Sequence, residues 1–296
     1  MQPAATAPQP QPTAETRTLT AADGGCFEVT LVPAASALQR PPIVFLPGMF
    51  SGRGFWLSDR GIGLAAHLAG HGFPGLIVQR RRNGPGRPGL EEHLQCDLPL
   101  VRDWVRSHWG QPAFWIGHSF GGVIASRAAA QLLEPEDLAG LVLFAAQFED
   151  GKRMLDWPGN LLLAGFLRLR RRFPAPLLGM GPNDEPGAAM RDAMALVTRG
   201  RREPWLRSTL GRIRAPTLAI AGLGDTVDPP TGCEKLIAHF GSEDRRFIAA
   251  GRATGFREDY THPGVVVSKP AQAEIWPLVT DWLLERAGPG PLRATE

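Results

Sequence analysis

Phe114-Trp115-Ile116-Gly117-His118-Ser119-Phe120-Gly121-Gly122 sets Gly-x-Ser-x-Gly between an apolar run, Pro112 to Gly117, and a segment with helical spacing, Phe120 to Leu133. A serine on a sharp strand-to-helix bend sits in strained backbone. Gly117 and Gly121 there lack the Cβ atoms that would collide across so tight a turn. A serine that merely capped a helix would account for Ser119 but not for both glycines. The hydroxyl of such a serine projects above the carboxyl ends of the strands. The free N–H groups at the helix start favour a developing negative charge. Ser119 is therefore the candidate nucleophile, and the Phe120 N–H one candidate oxyanion donor.

Outward from this turn the chain alternates strand and helix signals. Upstream, Cys26 to Val32 alternates loosely, and Pro42 to Leu46 is a short apolar run ending at Pro47-Gly48. Gly61 to Gly70 carries Ile62, Leu64, Ala65 and Leu68 at helical spacing, followed by the apolar strand Leu76 to Gln79. Gly89 to Trp109 again has helical spacing through Leu90, Leu94, Leu98, Val101 and Val105. Downstream, Leu138 to Ala146 is nearly continuous in apolar residues. Such runs belong to parallel strands covered on both faces by helices, joined by right-handed crossovers. The rhythm stops from Phe148 to Arg214, where no strand is expected. It resumes with the strand Pro216 to Ala221, a helix at Cys233 to Phe240, a strand at Arg246 to Ala249 and a closing amphipathic helix, Ala271 to Glu285.

These segments divide the chain into a Pro/Gln/Ala-rich leader expected to be disordered (1–17), a core (18–147 and 215–288), an inserted cap or lid (148–214) and a flexible tail (289–296). The leader has no basic start and no apolar centre, so it does not read as a secretory signal. The 296 residues are 43% hydrophobic and 21% charged, ordinary for a water-soluble domain, and no stretch has the roughly 20 unbroken apolar residues of a membrane span. The net charge of +3 comes mostly from arginine. With no zinc-finger, RNP-like or helix-turn-helix pattern beside it, nucleic acid is not expected as a partner. Cys26, Cys96 and Cys233 are odd in number and far apart, which argues against disulfides or zinc and for a reducing cytoplasm. No cofactor and no metal are expected, and oligomeric state is left open.

The serine turn, Leu46-Pro47-Gly48-Met49 and Gly222-Leu223-Gly224-Asp225, followed by a late histidine, resemble the α/β-hydrolase superfamily, with elements matching in order from about Thr18 to Arg286. The resemblance implies an α/β fold with a mostly parallel central sheet flanked by helices and an inserted helical cap. It also implies that the residue after Pro47-Gly48 completes the oxyanion hole. Met49 is then the second donor, with Phe50 the neighbouring alternative, and proline stands where the family usually has histidine. Phe50 and His118, which flank the two donors, are assigned to substrate contact.

The family order of serine, acid, histidine selects His262, in Tyr260-Thr261-His262-Pro263-Gly264, as the general base. His67, His71, His93, His108 and His239 lie in or beside helices and have structural explanations, and adjacency turns the His118 imidazole away from that role. Asp225, at the tip of a loop after an apolar strand, is the expected orienting acid. Asp228 is its rival, Glu149 and Asp150 are more distant options, and a plain Asp-turn is the bland reading of Asp225.

A serine nucleophile implies an acyl-enzyme and a small acyl substrate. In the cap, Asn160 to Leu167 followed by Arg168 and Arg170 to Arg172 reads in three ways: an apolar acyl pocket, cap core with solvated arginines, or a face toward an anionic membrane. Gly181 to Pro186 reads as a polar turn without assigned chemistry. Carboxylesterase or lipase-like hydrolysis leads. Thioesterase and acyltransferase use the same groups, and a non-catalytic ligand-binding protein could share the fold.

Overall fold

The computed structural model describes residues 14–35, 40–150, 154–202 and 204–288. Eight strands form one sheet in the order β1-β2-β4-β3-β5-β6-β9-β10. These are β1 (Glu15–Thr20), β2 (Cys26–Val32), β3 (Ile43–Leu46), β4 (Gly75–Gln79), β5 (Ala113–His118), β6 (Leu138–Phe144), β9 (Thr217–Gly222) and β10 (Arg245–Ala250). β1 and β2 are antiparallel to their neighbours, while β4, β3, β5, β6, β9 and β10 run parallel. This is the mostly parallel sheet expected from the strand–helix rhythm, in the arrangement that the resemblance to α/β-hydrolases implied.

The apolar runs are explained by burial on both faces. In β3, Val44 and Leu46 join one core while Ile43 and Phe45 join the other. In β6, Leu141 and Leu143 face the first core, and Val142 and Phe144 the second. Period-two alternation is thus present in space but hidden in sequence, because both faces are covered. The helix Phe120–Gln131 is buried at every position except its last, which its run of Gly, Ala and Val allows.

Four sequence expectations are corrected. The assigned leader ran to residue 17, but Glu15 to Arg17 belong to β1, paired along β2 from Glu15↔Leu31 to Thr20↔Cys26. Residues 1–13 of that leader and the tail 289–296 lie outside the described residues. Ile62 is exposed rather than part of an apolar helix face, because the helix begins only at Leu64. The segment 89–109 is two helical pieces, Leu90–Glu92 and Leu98–Trp109, joined by a wide π turn at His93–Asp97. There His93 Nδ1 and Arg81 both donate to the buried Asp97.

Between β6 and β9 the chain leaves the sheet through the helices Gly159–Leu169, Gly187–Arg202 and Pro204–Leu210. No strand was expected here, yet β7 (Arg172–Phe173) and β8 (Glu185–Pro186) pair antiparallel. Two residues per strand are too few to show an alternating pattern. Leu163 and Leu167 turn inward, while Leu161, Leu162 and Leu169 are exposed beside exposed Arg168, Arg170 and Arg171. Arg172 is different: it donates to the Arg82 carbonyl and to Asn83 Oδ1.

Candidate active site

The serine turn is held by backbone. Ser119 has φ 53°, in the left-handed region, as do two other non-glycine residues among those described, Phe50 (62°) and Ala145 (45°). All three lie where strands end at the carboxyl edge, and such conformations persist where surrounding structure over-determines them. The Ser119 N–H donates to Phe144 O (2.9 Å), and that of Ala145 to Ile220 O (2.8 Å). A Cβ on Gly121 would lie 2.3 Å from Leu46 O, and one on Gly117 2.5 Å from Gly122 Cα. The glycines therefore let the serine turn, the helix after it and the end of β3 approach to backbone contact.

The Asp225 and His262 loops come together at the ends of β9 and β10. A Cβ on Gly222 would meet Tyr260 O at 2.0 Å, and the Gly224 N–H donates to Tyr260 O at 3.1 Å. Buried Asp225 accepts the Val227 and Asp228 N–H groups on Oδ1 (2.8 and 2.9 Å), leaving Oδ2 for His262 Nδ1 at 2.8 Å. A carboxylate only accepts, so Nδ1 carries a proton, and in the neutral ring the lone pair is then on Nε2. The bland Asp-turn reading and the imidazole partner both hold, on different oxygens. His118 Nε2 donates to His262 O (2.9 Å), its ring 4.5 Å from that of His262. His118 also stacks on Phe55 at 4.4 Å between ring centroids.

Asp228, the rival acid, has another partner. Its Oδ2 accepts the Ser119 hydroxyl at 3.2 Å, and its Oδ1 accepts from Gln147 Nε2 at 2.7 Å. Ser119, Asp228, Asp225 and His262 thus form one hydrogen-bonded sequence. The Ser119 hydroxyl rests on the carboxylate rather than on the imidazole. The Glu149 carboxylate pairs with His239 and Arg207 and that of Asp150 with Lys235 and Thr231, while the Asp150 backbone holds the Gln147 amide that meets Asp228.

The oxyanion-loop candidates lie beside the turn: a Cβ on Gly48 would be 3.1 Å from Ser119 Cβ. The Phe50 N–H donates to Glu185 Oε2 at 2.8 Å, which removes it as a free alternative to Met49. Sequence reasoning missed Arg80 and Glu185, which are respectively 6% and 1% exposed. Arg80 Nη2 donates to both Glu185 carboxylate oxygens (2.9 and 3.0 Å), and its Nη1 to the carbonyls of Pro47 (3.0 Å) and Gly48 (3.1 Å). Arg82 donates to Ser51 O at 2.6 Å. The only available signal was the triplet Arg80-Arg81-Arg82 directly after an apolar strand, a place where a charge enters the sheet edge.

Fold and edge together define the class, a parallel-sheet protein with a strained serine and a His–Asp pair at the carboxyl ends of its strands. The chain belongs to the alpha/beta hydrolase family, whose model matches residues 43–284. No curated protein matches the chain in sequence. Among solved structures it is similar to a soluble variant of monoglyceride lipase from Saccharomyces cerevisiae in complex with a substrate analog. That likeness has a TM-score of 0.71 at 17% identity, covering 95% of this chain and 99% of the other. It is also similar to a Paleococcus ferrophilus monoacylglycerol lipase (0.60, 16%, 88% and 99%). A third is the esterase domain of a Rhodothermus marinus protein (0.62, 15%, 93% and 100%).

Proposed function

We propose that this chain is a serine hydrolase that cleaves an ester-type acyl bond through an acyl-enzyme, with Ser119 as nucleophile, His262 as general base and Asp225 as its orienting acid. The reading is carried by one observation, the 2.8 Å pairing of His262 Nδ1 with Asp225 in a loop bonded to the residue before Ser119. An unperturbed hydroxyl is a weak nucleophile and needs a base that later returns the proton. When the carbonyl carbon of an ester arrives, the Ser119 hydroxyl swings from Asp228 to His262 Nε2, loses its proton there and attacks. The Met49 and Phe120 N–H groups receive the oxyanion. The tetrahedral species collapses, the alcohol leaves with the proton from Nε2, and water activated by the same imidazole frees the acid. Catalytic hydrogen bonds are often misaligned without substrate, so the resting bond to Asp228 is compatible with this course.

An apolar acyl group fits best, because Phe50 contacts Phe173 (centroids 5.5 Å) and Phe173 contacts Phe166 on the partly exposed cap helix (6.2 Å). Similarity to monoglyceride lipases and an esterase points the same way. Three cysteines outside any disulfide suit a reducing cytoplasm, and among the described residues no helix is long and apolar enough to cross a membrane.

A chain-length series of p-nitrophenyl esters, with matching thioesters and an alcohol acceptor, tests the assignment and separates hydrolysis from acyl transfer. Wild type should cleave the longer esters, and Ser119→Ala and His262→Ala should lower kcat by about 10⁴-fold or more. Asp225→Asn should cost about 10³- to 10⁴-fold, and Asp228→Asn less than about tenfold. Equal rates in wild type and Ser119→Ala exclude the mechanism.

A further inference from the structure

We infer that Arg80 and Glu185 are positioning residues that aim the Met49 N–H, an assignment that rests on the acyl-enzyme reaction proposed above. Gly48 C=O and Met49 N–H belong to one peptide unit, which is trans. In a planar trans peptide the two groups point in opposite directions. Arg80 Nη1 holds the carbonyls of Pro47 and Gly48, and Ser51 Oγ also donates to Gly48 O (3.0 Å). Capturing that carbonyl fixes where the Met49 N–H points. The next peptide is pinned from the other side, because Glu185 takes the Phe50 N–H. Asn183 N–H donates to Phe50 O at 3.1 Å, and a Cβ on Gly181 would sit 2.7 Å from Phe50 Cβ. Both peptides flanking Met49 are therefore held by one buried ion pair, one member from the end of β4 and the other from β8 in the segment between β6 and β9.

The pairing itself has a physical reason. A guanidinium that serves two backbone carbonyls in a buried place needs a counter-charge, and a bidentate carboxylate supplies one with matching geometry. A carboxylate that also accepts a backbone N–H transmits the position of the 181–186 turn to the loop beside Ser119. Glu185 acts through Met49 and touches no reacting atom.

The test uses Glu185→Gln, which conserves volume, and the charge-free pair Arg80→Met with Glu185→Met, which leaves no orphaned buried ion. Each is compared with wild type for ester kcat and KM, for the Ki of an alkyl trifluoromethyl ketone, and for Tm. That ketone forms a hemiketal oxyanion on serine, so its affinity reads donor placement. Expected is a kcat lower by about 10- to 100-fold, a Ki raised by the same factor and a KM within about threefold. Folded variants whose kcat and Ki both stay within about threefold of wild type, or whose Tm falls with Ki unchanged, overturn the assignment. A wild-type chain that neither binds the ketone nor is labelled at Ser119 by a fluorophosphonate overturns the underlying reaction. Labelling and ketone binding that persist unchanged in the variants overturn the positioning role alone.

Discussion

The serine turn at Gly117–Gly122 and the loop at Pro47–Ser51 lie against each other, and each contains a non-glycine residue in the left-handed region. They are held by different means. Ser119 is fixed by its neighbours in sequence, by the sheet partner Phe144 and by glycines that bring backbone to backbone. Phe50 and its loop are fixed chiefly by side chains from Arg80, Arg82 and Glu185, with one backbone bond, from the Asn183 N–H to Phe50 O. A conformation built on backbone contact has nothing that can give way. One built on side chains can be adjusted by changing distant residues. The proposed nucleophile is thus mechanically tied to the sheet, whereas the proposed second oxyanion donor is tied to the segment between β6 and β9.

Two glycines put this contrast at risk. Gly121→Ala places a methyl 2.3 Å from Leu46 O, backbone against backbone, and should destabilise the fold by about 3 kcal/mol or more in urea unfolding. Gly181→Ala, at a φ of 155°, meets the Phe50 Cβ and carbonyl oxygen at 2.7 Å, a looser approach than that at Gly121, and should cost about 1–2 kcal/mol while lowering kcat by about tenfold. A reversed order, with Gly181→Ala the more damaging to stability, breaks the comparison.

Strain at Ser119 gives a smaller effect of opposite sign. Ser119→Gly removes a side chain from a φ of 53°, so it should be more stable than Ser119→Ala by a few tenths to about 1 kcal/mol by Tm, with both expected to be inactive under the proposed mechanism. Equal stability would mean that the turn stores no strain.

The smallest effect lies away from both loops. Burial, with His71 beside it, pulls the pKa of His67 from 6.5 down to about 4, and its Nε2 sits 3.0 Å from Thr280 Oγ1. The unfolded chain then binds the proton more readily. Stability from the neutral ring is present above about pH 6.5 and is lost as the pH falls through about 4. His67→Asn should flatten that part of the Tm–pH curve; an unchanged acid limb assigns it to other groups.

The legible parts were those encoded by adjacent residues. Nine consecutive positions carried the serine turn, and unbroken apolar runs carried the doubly covered strands. Ile62 and the π turn at His93–Asp97 were not legible, because helix boundaries there depend on Trp56 O lying against Gly63 and on the buried Asp97 partners. Asp225 and Asp228 illustrate the limit: three residues apart on one loop, they are ranked by sequence with Asp225 first, but only packing sends Asp228 to the hydroxyl.

Sequence alone determined the order of strands and helices, the strained turn and the residue types available for acid–base work, because these follow from local spacing and backbone sterics. Tertiary structure decided which oxygen meets which donor, and it buried Arg80 against Glu185, 105 residues away. An isolated charge in sequence reads as solvated, since its desolvation cost is offset only by a partner whose nearness no local pattern encodes.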